Sequence, residues 1–207
     1  MIRAEPQIRR GRKFDQVLEG ARKVFLQNGF EGASVDDIAR EAGVSKATLY
    51  SYFPDKRLLF KEVAKAECAR QADEAVQLID RNAPPEVVLT AAARRILGFL
   101  MSDFAQAMFR ICVAESERFP ELGQEFYLSG PQLVRARLVE YLAQAVARGE
   151  LAIPDLDLAA DQFAALCKTT LHERAVFGLS RRCTVPEAER VIRGAVGLFL
   201  AGYAVKG

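Results

Sequence analysis

The chain has 207 residues, half of them apolar and 27% charged, with a formal net charge of +2. That balance belongs to a folded globular chain, and 14 glycines with 8 prolines are too few for collagen-like or low-complexity sequence. The longest apolar run, Val196 to Val205, is about half of a membrane span. The basic, polar stretch Met1 to Lys13 lacks the apolar segment of a secretory signal, so the expectation is a cytoplasmic protein with no membrane partner.

Four cysteines, Cys68, Cys112, Cys167 and Cys183, form no C-x-x-C pair, and the single histidine is His172. Neither a disulfide framework nor a metal site is expected from that set, and no cofactor motif is present. The charge is unevenly spread. Residues 1–70 hold 14 basic against 10 acidic side chains, and Arg3 to Lys23 hold seven against three. A basic head on a slightly acidic body points to an anionic partner for the head.

Apolar residues recur with the period of a helix and never with that of a strand. Phe14, Val17, Leu18, Ala21, Val24 and Phe25 make one stripe, which Asn28-Gly29 ends as a C-terminal cap. Ser34 caps a short second helix with Asp36 and Asp37 in its first turn, and Val35, Ile38, Ala39 and Ala42 form its buried side. After Gly43 and Val44, Ser45 caps a third helix, Lys46 to Tyr52, which stops at Phe53-Pro54. Asp55 opens a longer helix to about residue 80.

Asn82 to Pro85 is the clearest break in the chain. Beyond it, Val88 to Leu100 and Phe104 to Cys112 carry helical stripes, and Phe119-Pro120 and Gly130-Pro131 interrupt the next stretch. Leu133 to Val146 is amphipathic and closed by Gly149. A helix beginning at Pro154 to Asp157 carries Phe163, Leu166, Cys167 and Leu171. Thr184-x-x-Glu187 reads as a capping box for a last helix from Pro186 to Tyr203. The chain is predicted to be all-α with about nine helices.

Val35 to Phe53 reads V-D-D-I-A-R-E-A-G-V-S-K-A-T-L-Y-S-Y-F and has the parts of a helix-turn-helix. Small Ala39 faces the partner helix, Gly43 supplies the turn, and Val44 and Leu49 pin the second helix on the first. With Ile38, Val44, Leu49 and Phe53 inside, the outward set is Lys46, Ala47, Thr48, Tyr50, Ser51 and Tyr52. Thr48 and the Ala47 methyl can approach base edges, while hydroxyls and Lys46 can reach phosphates. Arg9, Arg10, Arg12 and Lys13 precede the first helix, and a basic arm there can enter a minor groove or follow the backbone.

The stretch from Phe14 to Val63 resembles the DNA-binding domain of TetR-family transcriptional regulators. The resemblance rests on A-R-K-V-F-L-Q-N-G-F at residues 21–30 and A-S-V-D-D-I-A-R-E-A-G-V-S-K-A-T-L-Y-S-Y-F-P-D-K-R-L-L-F at residues 33–60. It covers about the first third of the chain, and the remainder matches the family's effector domain in architecture and length only. It implies DNA contacts from Ser34, Ser45, Lys46, Ala47, Thr48, Tyr50, Tyr52 and Lys56. Val35 stands where some members carry a contacting threonine, which leaves Ser34 as the donor. The implied organisation is a helix-turn-helix domain over residues 1–55 and a ligand-binding and dimerisation domain over residues 56–207, joined by the helix from 55 to 80.

The same resemblance implies a homodimer on double-stranded operator DNA, released by a small effector, and the enrichment in Phe and Met among the central helices favours an apolar or aromatic one. Val191, Gly194, Leu198, Ala201 and Val205 form a narrow stripe on the last helix, with Gly197 and Gly202 beside it, and small residues let helix axes approach. Candidate effector-lining residues among the central helices are Phe99, Phe104, Met108, Phe109, Cys112, Tyr127, Phe163, Cys167, His172 and Phe177.

Two alternatives remain. One is a thiol-based redox regulator using Cys183, which follows Arg181-Arg182; the other is a DNA binder with no effector. An enzyme is not expected, because His172-Glu173 is not the Glu-x-x-His of di-iron bundles and neither a phosphate loop nor a G-x-S-x-G elbow occurs.

Overall fold

The computed structural model describes residues 11–78, 82–117, 119–180 and 182–205, and every regular element within them is helical. Eleven helices follow one another: α1 (Arg12–Gly32), α2 (Val35–Glu41), α3 (Lys46–Tyr52), α4 (Lys56–Leu78), α5 (Pro85–Leu100), α6 (Asp103–Glu115), α7 (Pro120–Ser129), α8 (Pro131–Ala147), α9 (Leu156–Lys168), α10 (Leu171–Val176) and α11 (Val185–Tyr203). None of the described helices is by itself long and apolar enough to cross a membrane.

The caps explain most of the boundaries. The Ser34 and Ser45 hydroxyls accept from the backbone N–H of Asp37 and Thr48. Ser102 and Asp155 do the same for Ala105 and Leu158. Thr184 and Glu187 form the reciprocal capping box that starts α11. Prolines occupy the first turn of α5, α7, α8 and α11, where their missing N–H costs nothing. Gly29, at φ 70°, breaks the regular path of α1 close to its end.

The chain divides into two compact units, Met1–Glu67 and Cys68–Gly207. The division falls within α4, later than the junction after residue 55 expected from sequence. The physical reason is that Leu59, Phe60, Val63 and Ala64 are buried, so the first turns of α4 complete the head's own core.

In the first unit α1 lies on α2, and at Gly20 the approach leaves no room for a side chain. A β-carbon there would come within 2.7 Å of the Ala42 backbone nitrogen and 2.8 Å of its Cα. The Phe14 ring meets Tyr52 edge-on at 6.0 Å and Phe53 at 5.4 Å, which fastens the end of α3 to the start of α1. Phe25, Phe30 and Phe60 form a second aromatic group with centroids 5.0–6.0 Å apart.

The core of the second unit is shared by α5, α8, α9 and α11, through residues such as Leu89, Leu97, Leu142, Ala159, Phe163, Ala195 and Phe199. An isolated bridge between Leu151 and Ala204 ties the end of α11 to the segment after α8. α7 is a separate helix in the stretch that sequence reads as interrupted, and α10 arises because the helix expected to run through Leu171 is broken. At the break Thr170 takes φ 59° and ψ −37°, and the Leu171 N–H donates to the Thr169 carbonyl at 2.7 Å. This is a γ-turn of the strained, positive-φ kind.

Thr170 is the sole non-glycine residue at positive φ among the described residues. Such a conformation costs a side-chain-bearing residue on the order of 1–3 kcal/mol. Thr170→Gly is therefore expected to raise stability by about 1 kcal/mol in urea unfolding, because glycine adopts this turn freely. A lowered midpoint would show that the threonine side chain anchors the turn and that strain is not the governing effect.

Candidate nucleic-acid interface

α3 is held from behind by fully buried Leu49 and Phe53, which leaves Lys46, Ala47, Tyr50 and Ser51 outward. Gly43, at φ 64°, makes the turn that sets α3 across α2, and the Val44 N–H bonds back to the Ala39 carbonyl at 3.0 Å. Ala39 itself is buried, as its place at the helix crossing requires.

The hydroxyls of this region are already engaged. Ser34 donates to the Asp37 carboxylate at 2.6 Å while capping α2. Asp37, which also pairs with Arg40, is held below the ordinary carboxylate range chiefly by that hydroxyl. Ser45 caps α3 and lies 2.9 Å from the Thr48 hydroxyl, and the Ser51 hydroxyl donates to the Thr48 carbonyl. Ser34 and Ser45 therefore act first as caps. Tyr52 is half-buried against Phe14, whereas Tyr50 is 48% exposed.

Two cations behave differently. Lys46 Nζ lies 2.6 Å from an Asp36 oxygen on α2, and the hydrogen bond to that carboxylate raises the affinity of the amine for its proton. Lys56 turns inward: its ammonium donates to the carbonyls of Phe30 at 2.7 Å and Ala33 at 3.1 Å, and sits 4.5 Å from the Phe30 ring centre. The structure thus gives Lys56 an internal tie across the α1–α2 junction, where sequence reasoning had only a phosphate contact. Arg12 and Lys13 are exposed at the start of α1, and Arg9 and Arg10 lie outside the described residues.

In the second unit the expected effector residues separate. Phe163 and Cys167 belong to the central core, and burial pushes the Cys167 thiol up to about 12. Phe104, Met108 and Cys112 are buried along α6, and burial with the nearby Cys68 lifts the Cys112 thiol to about 12. Phe99 is half-buried. Tyr127 and Phe177 are surface residues, Phe177 being 78% exposed, so neither lines an interior. Their aromatic character suggested burial, but Tyr127 lies on the outer face of α7 and Phe177 caps α10 beside Gly178.

Phe109 and His172 do come together, with centroids 5.2 Å apart and planes at 79°. Phe126, which sequence analysis passed over, joins Phe109 at 6.3 Å. Cys183 is half-buried and packs against the core.

On α11, Gly194, Leu198 and Ala201 are exposed, Leu198 by 63%, and so is Val205, which lies past the helix end at Tyr203 and leaves the expected helical stripe. Val191 is buried in the core of its own unit and drops out of the expected stripe, because its side of the helix turns toward α5 and α9. A β-carbon at Gly194, Gly197 or Gly202 would meet none of the described residues within 4 Å.

Comparison with known proteins agrees with this division. Residues 17–63 match the family model for bacterial regulatory proteins of the tetR family, and residues 87–205 match that for the C-terminal domain of AefR-like transcriptional repressors. The transcriptional repressor AcnR of Corynebacterium efficiens is 38% identical over 58 residues, 28% of this chain and 31% of that protein. The negative regulator of the icaADBC biofilm operon of Staphylococcus aureus, IcaR, is 31% identical over 51 residues, 25% of this chain and 27% of that one. The match thus spans less than a third of the length of these curated relatives.

Solved structures match over nearly the whole chain. A TetR-family regulator from Mesorhizobium loti superposes with a TM-score of 0.86 at 30% identity, over 94% of this chain and 98% of that one. The flavonoid-responsive regulator FrrA gives 0.71 at 35% identity, over 96% of this chain and all of its own.

The internal tie of Lys56 has a measurable consequence. Lys56→Met keeps the aliphatic stem but strands two backbone carbonyls, and should destabilise the chain by about 1–3 kcal/mol in urea unfolding. Lys46→Ala, which breaks only an exposed pair, should change it by less than about 0.5 kcal/mol. An unchanged midpoint for Lys56→Met would return that lysine to the surface.

Proposed function

The chain belongs to the TetR family of transcriptional regulators, and we propose that it is a homodimeric repressor whose α3 reads a two-fold operator and whose second unit takes a small aromatic effector. The observation that carries the DNA reading is the outward face of α3. Lys46, Ala47 and Tyr50 project from a short helix whose back is fixed by buried Leu49 and Phe53. In this reading Tyr50 and Ala47 meet base edges and sugar. Lys46 exchanges Asp36 for a phosphate, and Arg12 and Lys13 follow the backbone with Arg9 and Arg10. Ser34, Ser45, Thr48 and Tyr52 support that face by capping and packing, and touch the backbone at its edges.

The glycines of α11 support the dimer. Each glycine within a helix costs about 1 kcal/mol relative to alanine. Among the described residues nothing needs Gly194, Gly197 or Gly202 to lack a side chain, since no described atom lies within 4 Å of a β-carbon placed there. A second copy of the helix approaching along Gly194, Leu198 and Ala201, with Val205 just past the helix end, accounts for both the small residues and the exposed leucine.

Two observations support an aromatic effector. The second unit sets Phe109, Phe126 and His172 ring against ring, and FrrA, described as flavonoid-responsive, is 35% identical over nearly all of this chain. Such an effector releases DNA only by binding better to a form that fits the operator less well, so operator must weaken effector binding by the same factor.

Operator sequences selected from a random DNA pool supply the ligand for the tests. Tyr50→Ala should weaken operator binding at least tenfold with an unchanged fold. Lys46→Ala should lower the slope of log affinity against log salt by about one. Wild-type affinity and slope in both variants would dismiss α3 as the reading helix. Leu198→Glu, which sets a carboxylate against its own copy, should give monomers by light scattering. A variant that stays dimeric places the interface elsewhere.

A further inference from the structure

We propose that His172 is the polar anchor of the effector site, its imidazole accepting a hydrogen bond from a hydroxyl on a planar aromatic molecule that lies against Phe109 and Phe126. This rests on the aromatic-effector reading above and adds the chemical class of the molecule and the residue that selects it.

Three helices bring the rings together. Phe109 comes from α6, Phe126 from α7 and His172 from α10, and both contacts are edge-to-face, at 79° and 65°. In an edge-to-face pair the ring that offers its edge keeps both of its own faces clear of its partner, and all three residues are only half-buried. The group therefore keeps aromatic surface for a flat guest.

His172 is the lone histidine of the chain, and its ring packs against that of Phe109. Among the described residues none forms a hydrogen bond with its ring nitrogens. Its ring nitrogens are therefore available to water or to a ligand. Burial, and secondarily the Lys168 charge, push its pKa down against a smaller opposing effect of Glu173, so the imidazole is neutral and one nitrogen is an acceptor. The Lys168 charge also favours an acidic hydroxyl over an amine as the group received.

The backbone is shaped for this placement. An unbroken helix would carry residue 172 onward along the line of α9. The γ-turn at Thr170 instead turns α10 onto α6, where His172 meets Phe109. A strained turn at a non-glycine residue persists only where surrounding packing holds it.

The test is a fluorescence titration with 2-naphthol and with 2-methoxynaphthalene, which has the same ring system but no hydroxyl proton. The readout is the ratio of the two affinities. The wild-type chain should bind 2-naphthol roughly tenfold better relative to the ether than a variant without the acceptor does, since one hydrogen bond is worth about that factor. His172→Phe should abolish the preference while still binding 2-methoxynaphthalene, and His172→Gln, which retains an acceptor, should restore part of it. If His172→Phe loses both probes, the ratio is read in His172→Leu. A preference that survives loss of the imidazole overturns the role of His172 and leaves the aromatic-effector reading intact. Failure of both naphthalenes to bind the wild-type chain overturns that reading and this proposal together.

Discussion

The geometry of the head depends on one close approach. At Gly20 the helices α1 and α2 come so near that a β-carbon would lie 2.7 Å from the backbone of Ala42. Backbone cannot yield as a flexible side chain can, so a methyl at position 20 would have to push α2 away. The end of α2 leads directly into the Gly43 turn, and the turn sets the direction of α3. Phe14 then fixes the far end of α3 through Tyr52 and Phe53. The outward face of α3 is thus aimed by a missing side chain at one end and an aromatic group at the other. Lys56 closes the same assembly by binding the carbonyls of Phe30 and Ala33.

The second unit is governed by a different balance. Its core is a set of apolar stripes that any amphipathic bundle would share, and Phe163 meeting Phe199 at 5.1 Å is ordinary packing. What individualises it are places where the chain accepts a local cost. Thr170 holds a conformation suited to glycine, while Gly194, Gly197 and Gly202 stand in a helix where alanine would serve the single chain better. In the proposed reading the turn at Thr170 serves to bring His172 against Phe109, and the glycines serve the approach of a second copy of the helix.

These two kinds of feature also divide what the sequence reveals from what it hides. Caps and turns were legible because their chemistry is local: Ser34, Ser45 and Thr184 each cap the helix assigned to them, and Gly29, Gly43 and Gly149 all take positive φ. The helix-turn-helix was legible because its pattern is long and ordered. Gly20 was not, since a glycine inside a helical stripe looks like a weakness until its neighbour is known. The internal tie of Lys56 was hidden because its acceptors are backbone carbonyls, which carry no residue code. Thr170 gave no signal either, as threonine has no preference for positive φ. The exposure of Tyr127 and Phe177 escaped notice because aromatic character predicts burial only on average.

The polar groups around α3 show how recognition can be divided once the fold has taken its share. Ser34, Ser45, Thr48 and Ser51 spend their hydroxyls on caps, on one another or on backbone carbonyls. A hydroxyl so engaged can add a contact to DNA only by sharing or giving up a bond, and the net gain is small. Lys46 is in the same position, since Asp36 already stands where a phosphate would. Its transfer from carboxylate to phosphate is an exchange of partners, and the electrostatic gain is a difference between two attractive terms. What remains uncommitted on the face is the exposed ring of Tyr50 and the methyl of Ala47. In the proposed interface, discrimination between operators therefore falls on shape and apolar contact at those two positions, while the basic residues of the arm supply attraction that is indifferent to sequence.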